Sequence, residues 1–201
     1  MADQPKIAVI YYSATGVVHR LATEIVTGAE QAGAEVRLRK ARELAPQAAI
    51  EGNEKWAANL RATSDVAEAT AEDVLWADGV IFGSPTRFGN VSSQLKQFLD
   101  TLGQQWSQGL LADKVYSGFT ASATAHGGQE STLLALYTTV HHFGGIIVSP
   151  GYTDPLKFAD GNPYGTSAAG DTVTNEVVAA AHFQGARVAR ITRALVAGRA
   201  S

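Results

Sequence analysis

A run of apolar residues, Lys6–Tyr12 (Lys-Ile-Ala-Val-Ile-Tyr-Tyr), passes directly into Ser13-Ala14-Thr15-Gly16. This junction constrains the fold more than any other stretch. A continuous β-branched run reads as a strand buried on both faces, which implies a parallel sheet covered by helices. Beyond the turn, Val18, Leu21, Ala22, Ile25 and Ala29 form one helical stripe, and Arg20, Glu24, Thr27 and Gln31 lie off it. Strand, short Ser/Thr/Gly turn and helix together make an anion site. The free N–H groups at the helix start point into the turn, and the helix dipole favours negative charge there. Ser13 and Thr15 add hydroxyls, while no Lys or Arg lies in the turn, so a phosphate would be held by neutral dipoles. A plain N-cap role for Ser13 or Thr15 is the competing reading. The chain has no G-x-x-x-x-G-K-[ST], and no G-x-G-x-x-G follows a strand. A mononucleotide phosphate suits the turn better than ATP or NAD.

The same alternation continues. Glu35–Lys40 reads as a second strand with one wet face, after a helix C-cap at Gly33. Residues 41–71 are polar and Ala-rich, and read as an irregular excursion with a helical turn or two. Trp56 within it has no periodic partner and is either buried under the loop or at an interface. A short helix begins at Thr70–Asp73, with acids in its first turn. Val80–Gly83 is a third strand, Ser84–Asn90 a loop and Val91–Leu102 a helix. Trp106 lies in the segment after that helix. Lys114–Ser122 is a fourth strand, followed by the small-residue loop Thr124–Gly128. The next helix starts near Gln129 and turns Leu133, Leu136, Tyr137 and Val140 inward. Ile146–Val148 is a fifth strand, 149–174 a long loop of the kind that is functional or interface-forming, and 175–197 the last helix. The fold class expected is α/β, one doubly wound domain over 1–201 with a five-stranded parallel sheet and helices on both faces.

Composition removes several alternatives. At 201 residues and 45% hydrophobic, the chain can bury a sizeable core. A net charge of −3 implies no basic face for nucleic acid. Without cysteines there are no disulfides or thiolate metal sites. Met1–Lys6 lacks the apolar core of a signal peptide, and no apolar run is long enough to span a membrane, so a cytoplasmic protein without membrane insertion is expected.

In a doubly wound sheet, ligands lie beyond the carboxyl ends of the strands. Three loops leave those ends with a shared small, hydroxyl- and Gly-rich character: Ser13–Gly16, Ser84–Asn90 and Ser122–Gly128. A single pocket built from all three is the economical reading. In the second, Pro85 stiffens the loop, Gly89 frees it, and Thr86 and Arg87 offer donors along the edge of a flat heterocycle. His141 and His142 end the fourth long helix, where a solvent-facing cationic pair is the competing reading. No His/Asp/Glu cluster has metal-ligand spacing, and Ser13 and Ser84 lack a nucleophile elbow.

The segment Ile81-Phe-Gly-Ser-Pro-Thr-Arg-Phe-Gly-Asn90 strongly resembles the signature of the WrbA family of flavodoxin-like NAD(P)H:quinone oxidoreductases. So do Gly127-Gly-Gln-Glu130, His141-His142 and Gly161-Asn-Pro-Tyr-Gly165. The resemblance runs from the first strand to the last helix and implies a sheet order of 2-1-3-4-5. It also implies noncovalent FMN, with the phosphate on Ser13, Ala14, Thr15, Gly16, Val17 and Val18. The isoalloxazine would lie against Thr86, Arg87 and Phe88, while Ser122, Ala123, Thr124, Ala125, His126 and Gly127 would touch ribityl and ring edge. His141 would reach the flavin pocket as a proton donor, and Trp106 would line the quinone site. NADH or NADPH would be the electron donor and a quinone the acceptor, reduced by two electrons in ping-pong fashion. The family's homotetramers wall each pocket with a neighbouring subunit. Two positions depart from the pattern: Thr15 stands where an aromatic associated with nicotinamide binding is usual, and His126 is extra. The alternatives to this enzyme are a flavodoxin-type electron carrier and a repressor-associated interaction protein. The modest net charge and the long 149–174 loop speak against the carrier, and the absence of a basic stripe speaks against the interaction protein.

Overall fold

The computed structural model describes residues 4–199; most of the reading of the extreme N-terminus therefore lies outside the described residues. In chain order the elements are β1 (Lys6–Tyr11), α1 (Val17–Gln31), β2 (Glu35–Lys40), α2 (Gln47–Glu51), α3 (Glu54–Ala62), α4 (Ala71–Trp76), β3 (Gly79–Pro85) and α5 (Ser93–Asp100). They continue with α6 (Gly103–Ser107), β4 (Val115–Ser122), α7 (Gln129–Phe143), β5 (Ile146–Ile147), α8 (Leu156–Asp160), β6 (Ser167–Ala169) and α9 (Asn175–Arg199).

The strands form one parallel sheet in the order β2-β1-β3-β4-β5, with β6 also beside β4. Alternation along β1 divides the core in two. Ala8, Ile10 and Tyr12 face α4, α5 and α7, where they pack with Val74, Leu95, Phe98, Leu133 and Val140. Ile7, Val9 and Tyr11 face α1 and α9, where they pack with Leu21, Ile25, Ala181 and Val188. The α1 and α9 backbones touch at reciprocal glycines. A Cβ on Gly28 would stand 2.1 Å from the His182 carbonyl oxygen, and one on Gly185 2.1 Å from that of Ile25. No larger residue fits either place.

Three sequence expectations change. The excursion 41–71 holds two helices, α2 and α3, instead of a turn or two. Trp56 is half-buried beneath it, with Nε1 donating to Glu43 Oε2 at 2.9 Å. The third strand runs on to Pro85, so Ser84 and Pro85 belong to the sheet and the loop begins at Thr86.

The loop 149–174 contains α8 and β6, so among the described residues the sheet has six strands where five were expected. The position beside β4 is shared: β5 pairs with Val115 and Tyr116, and β6 with Thr120–Ser122. Between them, Gln184 of α9 closes the gap. Its Nε2 donates to Ser117 Oγ at 2.8 Å and to the Gly118 carbonyl at 2.7 Å, and its Oε1 accepts from the Thr166 amide at 2.8 Å. Gln184 is fully buried, so the satisfied amide replaces the missing ladder.

Candidate functional site

The first turn is shaped by Gly16. Its φ of +101° is open to glycine and strained for other residues, and it stands at the N-cap of α1. Its amide donates to Ser13 Oγ at 3.1 Å, which closes the turn. The amides of Ala14, Thr15, Val17 and Val18 have no hydrogen-bond partner among the described residues. They are the free donors of a helix N-terminus, collected in one turn.

The second loop is a tight reverse turn. Arg87 and Asn90 exchange backbone hydrogen bonds of 2.7 and 3.0 Å across Phe88 and Gly89. Both central residues have positive φ, 52° at Phe88 and 77° at Gly89, as a two-residue turn of the primed type requires. Phe88 is thus held in a conformation unfavourable for a bulky residue while its ring is wholly exposed. Thr86 fixes the turn from below. Its amide donates to the Ala121 carbonyl at 2.8 Å, and its hydroxyl accepts from the Gly89 amide at 3.2 Å.

The third loop is tied to the second. The Thr132 hydroxyl of α7 lies 2.7 Å from that of Thr86. The Gln129 amide, buried at the start of α7, donates to Ser122 Oγ at 2.8 Å and to the Ala168 carbonyl of β6 at 3.2 Å. The Gly170 amide donates to the Ser122 carbonyl at 2.8 Å, so the chain leaving β6 is drawn to the same place.

The three loops enclose one cavity of about 400 Å³. Ser13, Ala14, Thr15, Val17 and Val18 form one wall. Thr86 and Arg87 form the second, and Ser122, Ala123, Thr124 and Gly127 the third. Five residues expected at a cofactor are not among its lining. Gly16 shapes the turn from within, Phe88 projects into solvent, and Ala125 and His126 are exposed. His141 is also exposed, at the far end of α7, twelve residues and so about 18 Å from the loop that starts that helix. Trp106, expected at a quinone, is half-exposed beside it, with Nε1 donating to the His142 carbonyl at 2.7 Å. Within one chain neither side chain is brought to the cavity.

The sequence reading missed three lining residues, Ala121, Gly170 and Asp171; Pro85, also in the lining, stood in a loop already assigned to the pocket. Ala121 adjoins Ser122, already singled out. The others follow β6, whose Ser-Ala-Ala carries no periodic signal. Asp171 brings a carboxylate to the mouth, where it pairs with Lys55 of α3 at 2.5 Å, both side chains being largely exposed.

Behind the first turn lies a carboxylate hub. Glu43 accepts from the Tyr12 hydroxyl, from Trp56 Nε1 and from Gln94 Nε2, at 2.9, 2.9 and 3.0 Å. It also accepts from its neighbouring amides at Leu44 and Ala45. Burial opposes its ionisation, but the donors at Ala45, Trp56, Gln94 and Tyr12 outweigh that and hold its pKa below the usual carboxylate value. No group of acids and histidines able to hold a metal ion occurs among the described residues. Nor, among them, is any helix long and apolar enough to cross a membrane.

The model of the NADPH-dependent FMN reductase family matches residues 5–153. A protein of Deinococcus radiodurans named NAD(P)H dehydrogenase (quinone) is 48% identical over 83% of this chain and 84% of its own. One of the same name from Geotalea daltonii is 42% identical over 96% of this chain and its whole length. Among solved structures, the flavodoxin, WrbA-like protein from Agrobacterium tumefaciens superposes with a TM-score of 0.69 at 29% identity, covering 95% of this chain and 99% of its own. These agree with the likeness carried by residues 81–90, 127–130 and 161–165. The chain belongs to the NADPH-dependent FMN reductase family, on the WrbA-like, flavodoxin-fold side of it.

Proposed function

We propose that the protein is an FMN-dependent NAD(P)H dehydrogenase (quinone). The observation that carries this is the meeting of a free-amide turn and a rigid Arg87–Asn90 turn on one cavity of about 400 Å³, a volume suited to a cofactor. The residues present fit FMN. Unpaired amides at a helix start suit its phosphate, and Ser122 and Thr124 offer polar groups for a ribityl chain. The backbone of Thr86, Arg87 and Phe88 would run along the ring. Held there, FMN would supply two-electron chemistry between NADH or NADPH and a quinone.

The chain's own residues supply position and charge. Arg87, whose Nη1 donates to the Thr86 carbonyl at 3.1 Å, holds fixed positive charge beside the space where negative charge would accumulate. Thr15, exposed in the first turn, would meet substrate. With the turns on one side of the ring, donor and acceptor would share the other and react by turns. His141 and Trp106 belong to the same scheme through a homotetramer, each serving a neighbour's cavity, with His141 handing a proton to the quinone oxygen. The protein would work as one domain in the cytoplasm. Initial rates with both substrates varied should give parallel double-reciprocal lines; intersecting lines would rule out exchange at a shared face.

A further inference from the structure

Helix α3 has no place in the scheme above, yet it touches the phosphate turn directly. Asn59 Nδ2 donates to the Ser13 carbonyl at 2.8 Å. On the same helix, one turn earlier, Lys55 reaches Asp171 across the mouth. Asn59 also meets the turn at its other end, since a Cβ on Gly16 would stand 3.4 Å from Asn59 Oδ1. Ser13 lines two spaces: the large cavity in front, and a second of about 80 Å³ behind, which Asn59 and Glu43 also line. The turn is therefore a thin wall between them, and α3 meets its rear face through Asn59.

We propose that Asn59 is a positioning residue for the phosphate turn, and that α3 is its brace; this rests on the FMN reading above. The reason is the planarity of the peptide bond. In a trans peptide the C=O of Ser13 and the N–H of Ala14 lie in one plane and point opposite ways. Holding the Ser13 carbonyl back toward Asn59 turns the Ala14 amide forward into the large cavity. Ala14 lines that cavity, and its amide has no other partner among the described residues. Without Asn59 the peptide is free to rotate, and a carbonyl oxygen can then face an incoming phosphate.

The brace is itself held. Asn53 caps α3 by accepting from the Trp56 amide at 3.2 Å, and the Trp56 indole donates to Glu43. Glu43 in turn accepts from the hydroxyl of Tyr12, the residue just before Ser13. The turn and its support are thus fixed to each other at both ends. No cation stands in the turn, so its affinity for phosphate depends on the direction of its amides, and one misdirected peptide would be felt strongly.

The test uses apoprotein and compares FMN with riboflavin, which lacks the phosphate, by quenching of flavin fluorescence. Asn59→Ala should raise the dissociation constant for FMN about tenfold and that for riboflavin less than twofold. Asn59→Asp, of the same shape but without the donor, should do at least as much. Lys55→Ala should stay within about twofold of wild type, its pair being exposed. The inference is overturned if Asn59→Ala and Asn59→Asp bind FMN as wild type does. It is equally overturned if both flavins weaken by one factor, or if Lys55→Ala loses as much as Asn59→Ala. Wild-type protein that takes up neither flavin would overturn the FMN reading itself, and this inference with it.

Discussion

At the scale of single residues, Phe88 and His19 carry the clearest consequences. Phe88 occupies the left-handed region with a fully exposed ring, so its side chain gains no packing in the free subunit while its backbone is strained. Phe88→Gly should leave the unfolding midpoint unchanged or raise stability by up to about 1 kcal/mol. The same change should weaken FMN retention. A loss of stability in urea would show that the ring packs in the free protein after all. His19, in the first turn of α1, is joined to the Tyr11 hydroxyl at 2.6 Å. Burial is the main cause holding its pKa below the ordinary value; Lys40 adds to this and Asp65 opposes it. In the unfolded chain a histidine titrates near pH 6.5. As the pH falls through about 6.5, the unfolded chain takes up a proton that the folded chain still excludes, so stability drops toward acid until the lowered folded pKa is reached. His19→Asn should flatten the fall in denaturation midpoint between about pH 7 and 5. An unchanged slope would assign the acid sensitivity to other groups.

At the scale of elements, the site depends on a sheet whose last position is assembled from two short strands and one glutamine. Gln184→Ala would leave the Thr166 amide and the Gly118 carbonyl buried without partners. The expected cost is about 1–3 kcal/mol per orphaned group, read in urea unfolding, with β6 and the Gly170–Asp171 wall loosening first. Full stability in that variant would mean that water replaces the side chain. This region was also the least legible in the sequence. Ser167-Ala-Ala is too short and too small to show a period, and its strand pairing is set by β4 from a distance. Helix α3 was unreadable for another reason: none of its residues is fully buried, so it shows no apolar stripe. Where burial does pattern the chain, the reading held. The buried run of β1, the stripe of α1, and the start of α7 at Gln129 all stand where the residues indicated. The three loops were legible because each follows a buried strand. The separation of His141 from its own chain's cavity was not legible, because a motif resemblance carries no distance.

At the scale of the molecule, several large apolar side chains are exposed. Trp106, Leu110, Leu134, Ile146, Tyr152 and Phe158 are all between 39% and 70% exposed. Tyr152 and Phe158 stack on each other with centroids 4.9 Å apart. A homotetramer that buries them would account for the placement of His141 and Trp106. Sedimentation should then give about four times the 21.1 kDa chain, and dilution below the assembly threshold should lower specific activity. A fully active monomer would contradict a role for either residue in a neighbour's site. The central claim is that the three loops converge to hold FMN as a two-electron relay. Its most direct test is anaerobic: protein saturated with FMN, freed of excess by gel filtration, then given one equivalent of NADPH and afterwards one of benzoquinone. The account predicts about one FMN retained per subunit, its absorbance bleached in full by the first addition and restored by the second. FMN lost on the column, or retained but unchanged by NADPH, would contradict it.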